Sequence, residues 1–262
     1  MTPIPDSAPL LSIAGAIATI RLNRPSCANR IEHGDLDVLL QHAKSIAANP
    51  DIRAVILTGT GKHFSSGYDL TSILSTVEED PTASTAANPF GPMVDAFEAI
   101  PQPVICALNG GIYGGATDLA LACDLRLGVP HTKMFMPAAK LGLHYYLSGM
   151  KRYVSRLGFN TAKRLFLFAE NMDAEQMLQT GFLDRIVPAE SLEDEAQKSA
   201  QVAANMAPLA IHGMKQALNQ LAQDALDVDL FSGNETACLR SQDIQEGVTA
   251  WHEKRPARFK GR

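Results

Sequence analysis

Val104-Ile105-Cys106-Ala107-Leu108-Asn109-Gly110-Gly111-Ile112-Tyr113-Gly114-Gly115-Ala116-Thr117-Asp118-Leu119 is the stretch on which the fold turns. The unbroken apolar run from Val104 to Leu108 reads as a strand buried on both faces. Asn109-Gly110-Gly111 ends it in a turn, and Gly114-Gly115 opens a helical run from Ala116 to Cys123. A strand-like segment, Leu125 to Val129, follows at once. Strand, glycine turn, helix and strand in that order make an α/β unit with parallel pairing.

The same order appears upstream. Ile17–Leu22 and Ala54–Thr58 read as strands, and Leu36, Leu39, Leu40, Ala43 and Ile46 fall at helical spacing between them. The second of these strands runs into another glycine turn, Gly59-Thr60-Gly61-Lys62-His63-Phe64-Ser65-Ser66-Gly67-Tyr68-Asp69-Leu70. Beyond about residue 149 the pattern is almost wholly helical, with breaks near Gly158, Gly181, Pro188 and Pro208. Thr71 to Pro92 is rich in Ser, Thr, Pro, Ala and Asn, and is expected to be a mobile loop or a loosely helical flap.

Composition bounds the function. The chain has 262 residues, 46% of them hydrophobic, enough for one sizeable core. Its formal charge of −5 has the wrong sign for coating nucleic acid or an anionic membrane. No apolar run approaches the roughly 20 residues of a membrane span, and the N-terminus lacks the pattern of a secretory leader. Cys27, Cys106, Cys123 and Cys238 form no CxxC pair, so free thiols in a reducing cytoplasm are expected. The histidines show no HExxH spacing, and no metal site is expected.

Glycines at strand-to-helix junctions let the backbone approach a ligand, and a helix start presents N–H groups to negative charge. Two such turns can hold one oxyanion between them, although tight turning alone would also call for glycine. Neither turn fits a Walker loop or a dinucleotide fingerprint.

With these turns, the sequence resembles the enoyl-CoA hydratase/isomerase family, the crotonase superfamily. The resemblance rests on Leu22-Asn23-Arg24-Pro25, Ser66-Gly67-Tyr68-Asp69, Pro103 to Asp124, Thr180-Gly181-Phe182-Leu183-Asp184 and Glu253-Lys254-Arg255-Pro256. It implies an α/β fold, a crotonase-like spiral of ββα units with a helical C-terminal trimerisation region, in a homotrimer or homohexamer. The expected division is a core over 1–200 and a helical region over 201–262. The implied ligand is an acyl-CoA thioester, itself the substrate, with no further cofactor.

Carried over by that resemblance, the oxyanion hole is the backbone N–H of Tyr68 and of Gly115. Ser26, Cys27, Ala28, Ser66 and Leu70 map to adenine and pantetheine contacts, and Lys62 is placed to meet a CoA phosphate. The tail sets Lys254, Arg255, Arg258, Lys260 and Arg262 against Glu253, a balance that suits the same phosphates. The first of the two hydratase glutamates maps to Asp118, a shorter acid; the second maps to Ala138, which has no proton-transfer group. In the following turn His144, Tyr145 and Tyr146 are candidate replacements, unless the aromatics only line the acyl pocket. Asp69 and Asp124 read as turn-capping acids, Cys106, Cys123 and Trp251 as packing, and Met134 and Met136 as channel or core residues. The implied activity is that of an enoyl-CoA hydratase. The open alternatives are a Δ3,Δ2-enoyl-CoA isomerase, a thioester hydrolase or carbon–carbon lyase, and an acyl-CoA-binding pseudoenzyme.

Overall fold

The computed structural model describes residues 6–69, 71 and 89–262. Two sheets divide the strands between them. The larger runs in the order β1 (Leu10–Ala14), β2 (Ile17–Leu22), β3 (Ala54–Gly59), β5 (Val104–Leu108), β7 (Leu125–Gly128), β10 (Arg185–Ile186). The smaller runs β4 (His63–Ser65), β6 (Gly111–Tyr113), β8 (Lys133–Phe135), β9 (Asn171–Asp173). The pairs β3/β4, β5/β6 and β7/β8 each place the first strand in the larger sheet and the second in the smaller, which is the spiral of ββα units; the opening β1–β2 hairpin lies wholly in the larger sheet. Pairing is parallel throughout except at the β1–β2 hairpin and at β9.

The continuous apolar runs have a direct cause. On β3, Val55 and Leu57 face one core while Ala54 and Ile56 face another; on β5, Cys106 and Leu108 join the first, Ile105 and Ala107 the second. The first core is closed by α1 (His33–Ala48) and α2 (Phe90–Glu98). The second is covered by Leu192, Ala196 and Ala200, one stripe of α7 (Leu192–Ala204). Between these lie α3 (Gly115–Leu121), α4 (Leu147–Leu157), α5 (Phe159–Phe168) and α6 (Ala174–Gln179). The chain ends in α8 (Pro208–Ala222), α9 (Val228–Arg240) and α10 (Gln242–Glu253). No helix among the described residues is long and apolar enough to cross a membrane.

Six strands depart from the sequence reading. β4, β6 and β8 have three residues each, too few to show a period, and β4 and β6 lie within the stretches read as glycine turns. β1 is an edge strand with mostly exposed side chains, so it lacks a buried pattern. β9 and β10, of three and two residues, interrupt the region expected to be helical and are too short to show a period. Most of the expected flap, with Leu70, lies outside the described residues, but its last positions, Phe90 to Pro92, already belong to α2. The Asn23-Arg24-Pro25 motif has a structural use: Arg24 pairs with the buried Asp35 through Nε and Nη2 at 3.1 and 2.9 Å, fixing the start of α1. Asp69 caps its own turn as expected, accepting the N–H of Thr71, whereas Asp124 makes no local cap: it accepts the N–H of Val104 on β5 and pairs with Lys215. Trp251, expected to pack, is 83% exposed.

The two glycine turns are locked together. Asn109 donates to the carbonyls of Gly61 and His63 and accepts the Gly59 N–H. Next to it, a Cβ on Gly110 would stand 1.8 Å from the Lys62 carbonyl oxygen, so no side chain fits. Gly110→Ala is expected to cost about 3 kcal/mol or more, on the order of 10 °C in Tm by scanning calorimetry. Gly34, in α1, meets nothing within 4 Å, and Gly34→Ala is expected to raise stability by about 0.5 kcal/mol.

Candidate active site

The first turn is built on hydrogen bonds from Asn29, Ser65 and Ile31. Asn29 adopts a left-handed φ of 53°, and its amide donates to the carbonyls of Thr60 and His63 at 2.8 and 2.7 Å. Ser65 Oγ donates to the Asn29 carbonyl and accepts the Gly67 N–H. Ile31 forms a parallel bridge opposite Tyr68, using the Gly67 carbonyl and the Asp69 N–H, each at 2.9 Å. Both partners of Ile31 belong to the neighbours of Tyr68, so the N–H and C=O of Tyr68 itself point away from Ile31. Gly115 opens α3, where the first N–H has no intrahelical acceptor. The turns touch: a Cβ on Gly67, which has φ +93°, would lie 3.3 Å from the Gly115 nitrogen.

Ser66, Tyr68, Gly114 and Gly115 form one side of a cavity of about 90 Å³. Met136, Ala138, Leu141 and Leu143 give it apolar lining and Phe90, Tyr145 and Tyr146 aromatic lining, and His144 also lines it. No carboxylate stands on this described lining. Phe90 lies over Gly115, where a Cβ would come within 2.8 Å of the ring. The Tyr68 and Phe90 rings sit 5.3 Å apart, both on the lining of the cavity.

Asp118 occupies the helix position expected, but its carboxylate does not line the cavity. It is fully buried, with Oδ1 3.0 Å from Arg152 Nε and Oδ2 3.1 Å from Arg152 Nη2, and it accepts a hydrogen bond from the Tyr146 hydroxyl. Burial raises the Asp118 carboxyl above its ordinary value, against the lowering by Arg152 and Tyr146. Arg152 also binds Glu98 at 2.7 Å and Asp95 at 3.0 Å, and Glu98 is shared with Arg156 at 3.0 Å. The carboxylates outweigh the effect of burial on Arg152 and keep it firmly charged.

The loop candidates separate. His144 is exposed, and its Nδ1 lies 2.8 Å from the Tyr145 carbonyl oxygen, which can only accept, so Nδ1 carries the proton. Tyr145 is buried between Tyr146, Tyr153 and Phe166, and its hydroxyl has no protein partner of hydrogen-bond geometry among the described residues. Among the described residues, Tyr146 alone both lines the cavity and hydrogen-bonds Asp118. Burial, and then the Asp118 charge, push its phenol well above the ordinary tyrosine value.

Of the residues expected to cradle CoA, Ser66 meets Cys27 and Ala28, while Leu70 lies outside the described residues. Ser66 N–H donates to the Ala28 carbonyl at 2.7 Å and Ser66 Oγ to the Cys27 carbonyl at 3.2 Å. Ser26 donates through Oγ to Asp6. Gly61 lies against Pro25, which sets the exposed Lys62 on the neighbouring turn. In the basic tail Arg255 is bound to Glu246 as well as Glu253, holding the Glu246 carboxyl down at about 2. Arg152 and Glu98 were not legible as site residues. Their signal is a charge on an apolar helical stripe, beside Gly149, Tyr153 and Leu157 in α4 and beside Val94 and Phe97 in α2.

A family model described as Enoyl-CoA hydratase/isomerase matches residues 12–262. A carnitinyl-CoA dehydratase of Citrobacter koseri is 32% identical, over 95% of this chain and 96% of that protein. A short-chain-enoyl-CoA hydratase of Clostridium acetobutylicum is 29% identical over 94% of this chain and 95% of its own length. Among solved structures, an enoyl-CoA hydratase from Bacillus anthracis superposes with a TM-score of 0.89 at 27% identity, covering 98% of this chain and all of the other. With the ββα spiral, the paired glycine turns and a match across almost the whole sequence, the chain belongs to the enoyl-CoA hydratase/isomerase family.

Proposed function

We propose that this protein is an acyl-CoA enzyme that stabilises a thioester enolate and acts as an enoyl-CoA hydratase on a short acyl chain. The observation that carries the reading is the pairing of Tyr68 and Gly115, from two touching turns, on one side of an otherwise apolar cavity. Backbone donors so placed favour charge that develops on a thioester oxygen. A cavity of about 90 Å³ suits a short chain and lies below the usual range of drug-sized sites. Ser26, Cys27, Ala28, Ser66 and Lys62 would hold the CoA portion, with Leu70 as a further expected contact. The thioester is the substrate, and the reading calls for no other cofactor. Four cysteines without a disulfide suit a reducing, cytoplasmic setting.

The same reading includes assembly as a homotrimer or homohexamer through the C-terminal helices. Leu218, Leu239 and Trp251 are 66%, 69% and 83% exposed there, an apolar surface unusual for a single subunit. Light scattering is expected to give a trimeric or hexameric mass at micromolar protein; a monomer mass would remove this part of the proposal.

A Δ3,Δ2-enoyl-CoA isomerase is the second reading, favoured by Ala138, because moving a proton between two carbons needs fewer acid–base groups than hydration. Calorimetry with butyryl-CoA is expected to give binding that weakens as salt rises. Lys62→Ala is expected to weaken it by about threefold to thirtyfold. No binding at low salt would overturn the acyl-CoA reading. Crotonyl-CoA hydration is expected to run about 10² to 10⁴ below that of an enzyme with both glutamates. Faster turnover of a 3-enoyl-CoA than of crotonyl-CoA would favour the isomerase.

A further inference from the structure

Ala138 leaves the cavity without its second acid, and Asp118 faces away from it, yet a proton path leads out of the pocket. Tyr146 is on the lining, and its hydroxyl donates to Asp118 Oδ2. Behind it, both Asp118 oxygens are held by Arg152. We propose, on the basis of the acyl-CoA reading above, that Tyr146 is the catalytic proton-transfer residue of this site and that Asp118 is the buried positioning residue that receives and returns its proton.

The arrangement is suited to taking up one proton. Three carboxylates, Asp95, Glu98 and Asp118, face two guanidiniums, Arg152 and Arg156, so the cluster carries one excess negative charge. A proton on Asp118 neutralises that excess. Burial acts in the same direction by raising the Asp118 carboxyl, while the Tyr146 phenol, pushed up by burial and by the Asp118 charge, keeps its proton at neutral pH. Tyr146 is therefore a poor terminal base by itself; it works by passing a proton on in the same motion as it accepts one.

In hydration, the oxygen of water bonds to Cβ as its proton moves to the Tyr146 oxygen and the Tyr146 proton moves to Asp118. The C=C electron pair shifts to form the enolate, whose oxygen is held by the N–H groups of Tyr68 and Gly115. Asp118 then returns its proton to Tyr146, Tyr146 gives one to Cα, and the enolate pair becomes the new C–H bond. One water has been added and every protein group is restored. Isomerisation uses the same relay, with the proton leaving Cα and returning at Cγ.

The test is exchange of the α-protons of butyryl-CoA in D₂O, followed by NMR at saturating ligand, with binding measured separately by calorimetry. Tyr146→Phe keeps the ring and removes the hydroxyl. It is expected to slow exchange by about 10² to 10⁴ while changing Kd by less than about threefold, the size of one lost weak contact. Asp118→Asn is expected to slow exchange similarly, again without a matching change in Kd. The double variant should be no slower than Tyr146→Phe alone, because the two act as one unit. Should Asp118→Asn fail to fold, Tyr146→Phe still decides the matter. Exchange by Tyr146→Phe at the unaltered rate, or a double variant slower by the product of the two single effects, overturns the relay. So does an unaltered protein that binds butyryl-CoA but neither exchanges its α-protons nor hydrates crotonyl-CoA. Failure to bind butyryl-CoA instead removes the acyl-CoA reading, and the relay with it.

Discussion

The guanidinium of Arg152 joins three helices at once, where the other polar links, Arg156–Glu98 and Thr117–Tyr153, each join two. From α4 it reaches Glu98 and Asp95 on α2 and Asp118 on α3. It is 1% exposed at its side chain, so its charge must be met inside the protein. Removing one partner from such a pair typically costs about 3–5 kcal/mol, because the other charge is left buried. This requirement fixes the mutual position of α2, α3 and α4, and those helices supply Phe90, Gly115 and the residues that flank Tyr146. The direction in which Asp118 points is thus decided by the need to neutralise an arginine, ahead of any need of the substrate.

Much of the fold was legible because it depends on local regularities. Ile17–Leu22 and Val104–Leu108 were bounded correctly as strands: in the second the apolar run is uninterrupted because both faces are covered, and in the first Thr19 and Arg21 alternate with buried apolar residues. The glycine turns were legible because backbone contact leaves room for nothing else, as Gly110 against Lys62 shows. The position of Asp118 was legible too, but its environment was not. That depends on Arg152 and Glu98, which are 54 residues apart and meet only after three helices have docked. Sequence spacing could place a carboxylate one turn into α3 but could not show which side chain would claim it.

The site combines firmly satisfied backbone with incompletely satisfied side chains. Asn29 and Asn109 meet the turn carbonyls in a rigid frame, with Asn29 held in a left-handed conformation tolerated best by Asn, Asp and Gly. Tyr145, in contrast, buries a hydroxyl with no partner of hydrogen-bond geometry among the described residues, at a cost of about 1–3 kcal/mol. Its ring contacts with Tyr146, Tyr153 and Phe166 offset part of that cost, at about 0.5–1.5 kcal/mol for each favourable pair. Rigidity is concentrated where the ligand oxygen would be held, and the polar imperfection sits where the acyl chain would lie.

Gly149 imposes an order on how this pocket can change. A Cβ there would come within 2.5 Å of the Tyr145 ring, 2.9 Å of the Tyr146 ring and 3.0 Å of Asp118 Oδ2. The glycine, the stacked tyrosines and the carboxylate therefore form one steric unit, in which substitutions do not combine independently. An enlarged residue at 149 is tolerable only after the tyrosines have been reduced, whereas reducing the tyrosines first merely opens space. Any history or design route that exchanges this aromatic pocket for a different one must pass through the smaller side chains before the larger, and the reverse itinerary is closed by overlap of atoms.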